Sequence, residues 1–283
     1  MKKCLVYANC QGDALAHWLN KNSLFSSEYV IDKISNYEHI FDQKKIPKNL
    51  FRRADLCIYQ PIGNSHGIYA TSNLLRLLKP SCKTISFPYI YNDGLWPIYK
   101  NGDKIVNQEP IVELIQQGCS LLEIMTKFIS RNINFKLKER FENSLNELRK
   151  REQETDLKGA QYILDNYQHK KLFLTCNHPA TNLIIHYMNQ VLKQLNLPMM
   201  QNSEQFHPND AGLPGCYPSS PYGRKELNIF YKEESDWKVL YEKKKRKNWR
   251  YIHLAHIFEV YSQQAKKEIG NFPKWLRSLS KYW

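Results

Sequence analysis

Lys2-Lys3-Cys4-Leu5-Val6-Tyr7-Ala8-Asn9-Cys10-Gln11-Gly12-Asp13 opens the chain and decides how the rest is read. Residues 4–8 form a short, continuous apolar run of the length of a buried strand. The polar turn at Asn9-Cys10-Gln11-Gly12 ends that run. Leu15, Trp18 and Leu19 then fall on one face of a helix expected over residues 13–19. A buried strand that turns sharply into a helix is the repeating unit of a parallel sheet with crossover helices.

Working outward, the same grammar recurs. Strands are expected at residues 29–34, at 55–60 where Pro61 stops the run, and at 83–87 where Pro88 does so. A helix is expected between them over 71–78, closed by Pro80. From residue 109 to about 167 the pattern turns helical. Leu137, Phe141, Leu145 and Leu148 make one apolar stripe on an otherwise charged helix. Residues 171–175 read as another buried strand, followed by a turn at Cys176-Asn177-His178-Pro179 and a helix over 181–195. Residues 198–224, rich in proline and glycine, should form an irregular loop suited to covering a ligand. A strand over 227–231 and further helices complete the reading. The fold class expected is α/β, a small parallel sheet of Rossmann or SGNH-like type extended by a large, mainly helical part.

Composition limits the function classes. The chain has 283 residues and a formal net charge of +14. Its 18 tyrosines are more than a disordered chain would carry. The seven cysteines are odd in number and form no CxxC pair, which disfavours a disulfide framework and a zinc ribbon. Cys4, Cys57, Cys82 and Cys176 lie in or beside apolar runs and read as small buried hydrophobes. No HExxH, P-loop or GxGxxG motif occurs, and no metal is expected. The first apolar run is too short for a signal peptide, and no stretch has transmembrane length. A cytoplasmic location is therefore expected. The positive balance favours phosphate-bearing partners.

Candidate chemistry gathers at strand ends, where open α/β sheets bind ligands. Cys10 follows the first strand at the start of a helix, whose positive end should lower its thiol pKa. Asn9, Gln11 and the N–H groups from Gln11 onward, Gly12 included, could face a developing oxyanion. The competing reading of Cys10 is a small residue packed under the first turn. His178 and Asn177 stand in a second strand-to-helix turn, and His178 is expected at the same sheet edge as Cys10. Cysteine with histidine at adjacent strand ends suits acyl transfer; the plain alternative is a helix cap. Gln60 could donate to an oxyanion or a sugar hydroxyl. Tyr89, Tyr91, Asn92 and Asp93 suit sugar binding, although turn chemistry alone would also account for them. His186, His253 and His256 read as packing or surface residues.

The end of the chain is basic and aromatic. Lys243-Lys244-Lys245-Arg246-Lys247 precedes Trp249-Arg250-Tyr251, and further lysines alternate with Phe272, Trp275 and Trp283. Such a segment is either a plain solvated helix or a dock for an anionic membrane face. No nucleic-acid motif accompanies it, which puts RNA last.

Four short motifs in fixed order carry a family resemblance. They are Asn9-Cys10-Gln11, the segment Phe87-Pro88-Tyr89-Ile90-Tyr91-Asn92-Asp93-Gly94-Leu95-Trp96-Pro97, the helix piece Leu148-Arg149-Lys150-Arg151-Glu152, and the strand and turn ending in Asn177-His178-Pro179. Together they resemble the WcbI family of capsular-polysaccharide biosynthesis proteins from about residue 3 to residue 200. Ala8 stands where that family's motif is associated with glycine. The resemblance implies a core over 1–200 with a helical insertion at about 109–167, followed by a 201–283 extension that gains no role from it. It also implies a coenzyme A-dependent O-acetyltransferase acting on a sugar acceptor. Arg76, Arg131, Arg149 and Arg151 then become candidates to meet the coenzyme A phosphates. Two alternatives stand beside this: an SGNH-like esterase or deacetylase of glycans, and a non-catalytic glycan-assembly partner on the inner membrane face.

Overall fold

A computed structural model of the chain describes residues 1–201, 206–208, 210, 212–213, 217, 220–231 and 249–265. In chain order its first elements are β1 (Lys2–Ala8), α1 (Cys10–Lys21), α2 (Ser23–Glu28), β2 (Tyr29–Ser35), α3 (Asn36–Phe41), α4 (Lys48–Arg53), β3 (Leu56–Tyr59), α5 (Thr71–Leu74) and β4 (Lys83–Ser86). A hairpin of β5 (Tyr99–Asn101) and β6 (Lys104–Val106) follows, then helices α6 (Glu109–Gln116), α7 (Leu121–Ile129), α8 (Leu137–Glu152) and α9 (Ala160–Asn166). The last elements are β7 (Phe173–Thr175), β8 (His178–Pro179), α10 (Thr181–Gln194), α11 (Pro221–Glu226) and α12 (Trp249–Ala265).

The chain divides into two compact units. The first comprises residues 1–92 and 142–216, the second residues 93–141 and 217–283. The first unit holds a four-stranded parallel sheet in the order β2-β1-β3-β4. The central strands β1 and β3 are apolar because both faces are covered, whereas the edge strands β2 and β4 carry exposed polar residues. Val6 and Ala8 point at α1, where a side chain on Gly12 would collide with them. Leu5 and Tyr7, on the other face, join Phe51, Cys57 and Leu74 in a buried cluster beneath α4 and α5. The α/β class and parallel sheet expected from the sequence are present.

Several elements differ from expectation. The strand at residues 171–175 does not join the parallel sheet. It shortens to β7 and pairs antiparallel with β8 in a separate two-stranded sheet. The helix expected over 71–78 breaks after Leu74 into a tighter 3-10 turn at Leu75–Leu77, and Leu78 is already extended. No strand forms at 227–231, because Asn228 takes a positive φ of 53° that interrupts an extended run. Cys4, Cys57 and Cys176 are buried as expected, whereas Cys82 is partly exposed.

The second unit is built on aromatic packing. Phe128, Phe135 and Tyr222 lie with ring centroids 5.1–6.0 Å apart. His253 and His256 of α12 are buried in this unit. The apolar stripe of α8, Leu137, Phe141, Leu145 and Leu148, is buried along its length. Among the described residues no helix is long and apolar enough to cross a membrane. The basic run 243–247 and the residues after 265 lie outside the described residues, as do the side chains of Trp249, Arg250 and Tyr251.

Candidate active site

The turn after β1 is held by its own residues first. Asn9 caps α1: its Oδ1 accepts from Gln11 N at 2.9 Å and its carbonyl from Gly12 N at 2.8 Å. Asn9 N in turn donates to Gln60 Oε1 at 3.0 Å, which ties the end of β1 to the end of β3.

Gln11 is fully buried, and its side-chain amide is fully engaged. Nε2 donates to the carbonyls of Ile90 and Asn177, both at 2.7 Å. Oε1 accepts from Gln60 Nε2 at 2.9 Å and from Ile90 N at 3.1 Å. Gln60 Nε2 also approaches the Pro88 carbonyl at 3.4 Å. The two glutamines thus join the turns after β1, β3 and β4 to the β7–β8 turn. Both are expected from sequence to donate to an oxyanion. In the structure the Gln11 donors serve two buried backbone carbonyls and Gln60 Nε2 serves Gln11 Oε1, so either amide could meet an oxyanion only by giving up a buried hydrogen bond, which is costly.

The second turn is built by Thr175, a residue the sequence reading passes over. Its Oγ1 donates to Asn177 Oδ1 at 3.0 Å and accepts from His178 N at 3.2 Å. Asn92 N donates to the Cys176 carbonyl at 2.7 Å, so the segment after β4 is fastened here as well. His178 is half-buried and opens β8; it is not at an end of the parallel sheet. The turns of Cys10 and His178 nevertheless meet, through Gln11 and Asn177.

The Cys10 thiol is half-buried, and its pKa is raised rather than lowered. Burial is the largest cause and the Asp13 carboxylate adds to it. The N–H groups of Cys10 and Gln11 at the helix start pull the other way and are outweighed. The expected thiolate is therefore replaced by a neutral thiol. Tyr37, from α3, lies within electrostatic reach of this sulfur, another neighbour the sequence reading misses.

Aromatic residues flank the two turns. Tyr89 and Tyr91 stack with centroids 6.2 Å apart. The Tyr89 phenol is pushed up to about 12, by burial first and then by the neighbouring Cys176, while a hydrogen bond from Asn177 lowers it. Arg151 donates from Nη1 to the Tyr89 carbonyl at 3.0 Å, places its guanidinium 5.4 Å from the Tyr89 ring, and pairs through Nε with Glu147 at 3.3 Å.

The other arginine candidates lie elsewhere. Arg76 and Arg149 are exposed, Arg149 bonded to Asn146, and Arg131 is exposed in the second unit. Asp93 also falls in the second unit. Its Oδ1 accepts from Tyr99, Asn107 and Arg140 at 3.0–3.1 Å, a saturated structural role that sugar binding would have to disrupt.

A family model described as polysaccharide biosynthesis enzyme WcbI matches residues 3–200. No curated protein matches the chain. A solved structure similar in fold is described as WcbI, a novel polysaccharide biosynthesis enzyme, in its native form without a disulfide bond between coenzyme A and one of its cysteines. It is 17% identical, with a TM-score of 0.63 over 98% of this chain and 97% of that one. With most of its length matched by the family model, this chain belongs to the WcbI family of polysaccharide biosynthesis enzymes.

Proposed function

We propose that the protein transfers an acyl group from a coenzyme A thioester to a sugar hydroxyl during surface-polysaccharide synthesis. The observation that carries this reading is the 2.7 Å hydrogen bond from Gln11 to the Asn177 carbonyl, which joins the turn of Cys10 to the turn of His178. The related structure is described by the absence of a coenzyme A–cysteine disulfide, and that mention of coenzyme A supports the choice of donor.

Because burial and Asp13 raise the Cys10 thiol pKa and so oppose a resting thiolate, direct transfer is the route assigned ahead of an acyl-cysteine. His178 accepts the proton of the sugar hydroxyl as its oxygen bonds to the thioester carbonyl carbon. The oxyanion formed takes a hydrogen bond from Asn9 Nδ2, which has no partner among the described residues. The carbon–sulfur bond then breaks, the leaving thiolate takes the proton from His178, and the ester is left on the sugar.

Cys10 and Gly12 shape the wall beside the thioester, and Gln11 and Gln60 hold that wall in register. Tyr91 borders the sugar with Asn177 at its rim, while Tyr89, stacked with Tyr91 and Arg151, and the buried Asn92 support the wall behind them. Arg151 keeps Nη2 for a phosphate oxygen of coenzyme A, while Arg76, Arg131 and Arg149 add to the positive field that draws it in. The basic end of the chain would hold the enzyme near an anionic membrane on the cytoplasmic side.

Thiol release from acetyl-coenzyme A, followed with a glycan acceptor present, tests the assignment. His178→Ala should slow turnover about a hundredfold to ten-thousandfold, and Cys10→Ala should keep most of it. Full activity in His178→Ala removes the general base. Abolished turnover in Cys10→Ala, with an acylated protein trapped in the wild type, replaces direct transfer by a two-step route. Acetate released from an acetylated glycan without coenzyme A makes the protein a hydrolase. Absence of coenzyme A binding makes it a non-catalytic partner.

A further inference from the structure

On the sheet face opposite α1, the outer side of the buried cluster forms the floor of a cavity. Its volume is about 600 Å³, within the range of small-molecule sites. Ile46, Leu74 and Leu77 belong to or pack on the cluster around Leu5 and Tyr7, and they also line this cavity. Ile68, two-thirds exposed, adds a further aliphatic wall. None of the residues placed at the two turns of the candidate active site lines it.

The polar lining is one-signed. Lys45 and Lys48 line the cavity and no carboxylate does. Neighbouring Lys44 is neutralised by Asp42 at 2.7 Å and Glu38 at 3.9 Å, but neither Lys45 nor Lys48 has an ion-pair partner among the described residues. Asn73, the remaining polar wall, spends its Nδ2 on the Gly67 carbonyl. The lining also contains no aromatic ring. A nucleotide base or a sugar would find no flat partner to stack on, whereas an alkyl chain would find aliphatic walls and its charged end two ammonium groups.

We propose that this cavity binds an amphipathic anion, an aliphatic chain ending in a phosphate or carboxylate, with the chain against Ile46, Ile68, Leu74 and Leu77 and the head between Lys45 and Lys48. The site is independent of the acyl-transfer reading and remains if that reading fails.

Calorimetric titration of the full chain with dodecyl phosphate, kept below its micelle concentration, tests this directly. One molecule should bind per chain, with inorganic phosphate and dodecanol each weaker by about tenfold or more. The double variant Lys45→Glu, Lys48→Glu, at exposed positions that leave the core intact, should lose about tenfold or more in affinity. Cys10→Ala should bind as the wild type does, and coenzyme A should not displace the ligand. No binding of dodecyl phosphate overturns the proposal. Equal binding of inorganic phosphate removes the apolar half of the site, and equal binding of dodecanol removes the lysines. Displacement by coenzyme A returns the cavity to the donor substrate. Sedimentation with anionic vesicles but no titration by the soluble amphiphile assigns the lysines to a bilayer surface and overturns the cavity.

Discussion

Gln11 illustrates how far a residue's role can sit from its sequence surroundings. Preceded by Asn9 and Cys10 at a helix start, it reads as a catalytic donor. Its partners, Ile90 and Asn177, lie 79 and 166 residues away, and nothing local announces them. The strand-to-helix turn that frames the candidate site is legible in the sequence, but the partners of the side chains inside it are not. The amide of Gln60 is engaged in the same network through Gln11 and Asn9. Removing Gln11 strands Gln60 Nε2, the Ile90 N–H and two carbonyls, so Gln11→Ala should cost about 2–4 kcal/mol of stability. Gln60→Ala should cost about 1–3 kcal/mol, because it leaves Asn9 N–H without its acceptor. The two share a hydrogen bond, so the double variant should lose less than the sum by about 1 kcal/mol. Urea midpoints with unchanged m-values would report this. Strict additivity would mean that the glutamines act separately.

At the scale of elements, α1 is set against β1 by the absence of a side chain. A methyl group on Gly12 would meet Ala8 Cβ and lie 3.0 Å from Val6 Cγ1. Ala8 Cβ has no torsion with which to yield, so the helix itself must move. Gly12→Ala should therefore cost about 1–3 kcal/mol and also lower turnover, because α1 begins at Cys10. A variant with native melting behaviour would show that α1 can slide freely on the strand. Strands β1 and β3 are readable because parallel strands buried on both faces are nearly unbroken apolar runs, and Pro61 and Pro88 mark where β3 and the edge strand β4 give out. Residues 171–175 have the same composition, yet β7 pairs with His178-Pro179. Composition reports burial, whereas partner choice depends on distant chain. The β5–β6 hairpin carries a local sign: its two-residue turn is Gly102-Asp103, and glycine in the first turn position, here at φ 58°, is a favoured hairpin signal. Residues 227–231 show the reverse, with strand-like residues but a left-handed Asn228 in their midst.

The charge of the whole molecule links to the two histidines buried in its second unit. Burial lowers His253 to about 3, with His256 adding to the effect and the Ile98 carbonyl opposing it. Burial lowers His256 to about 4, while Glu259 raises it and Lys100 lowers it further. Both rings are neutral in the folded protein near neutral pH, whereas in the unfolded chain they take up protons near pH 6.5. Between pH 6.5 and those lowered values the unfolded state binds more protons, so stability falls as acid is added; below about pH 3 these rings add no further loss. The Glu226 carboxyl, raised by burial, works in the opposite sense but is only partly buried. The net loss between pH 7 and pH 4 should be on the order of several kcal/mol. With 41 lysines and arginines against 27 acidic residues, protonating carboxylates also increases self-repulsion, which steepens acid unfolding independently of the histidines. His253→Gln separates the two contributions. Its amide can still donate to the Ile98 carbonyl but takes up no proton, and the molecular charge at neutral pH is unchanged. The variant should start less stable at pH 7 and lose less on acidification than the wild type, as measured by urea unfolding at pH 7 and pH 4.5. Equal losses would remove His253 from the acid response and leave it to His256 and to repulsion among surface charges.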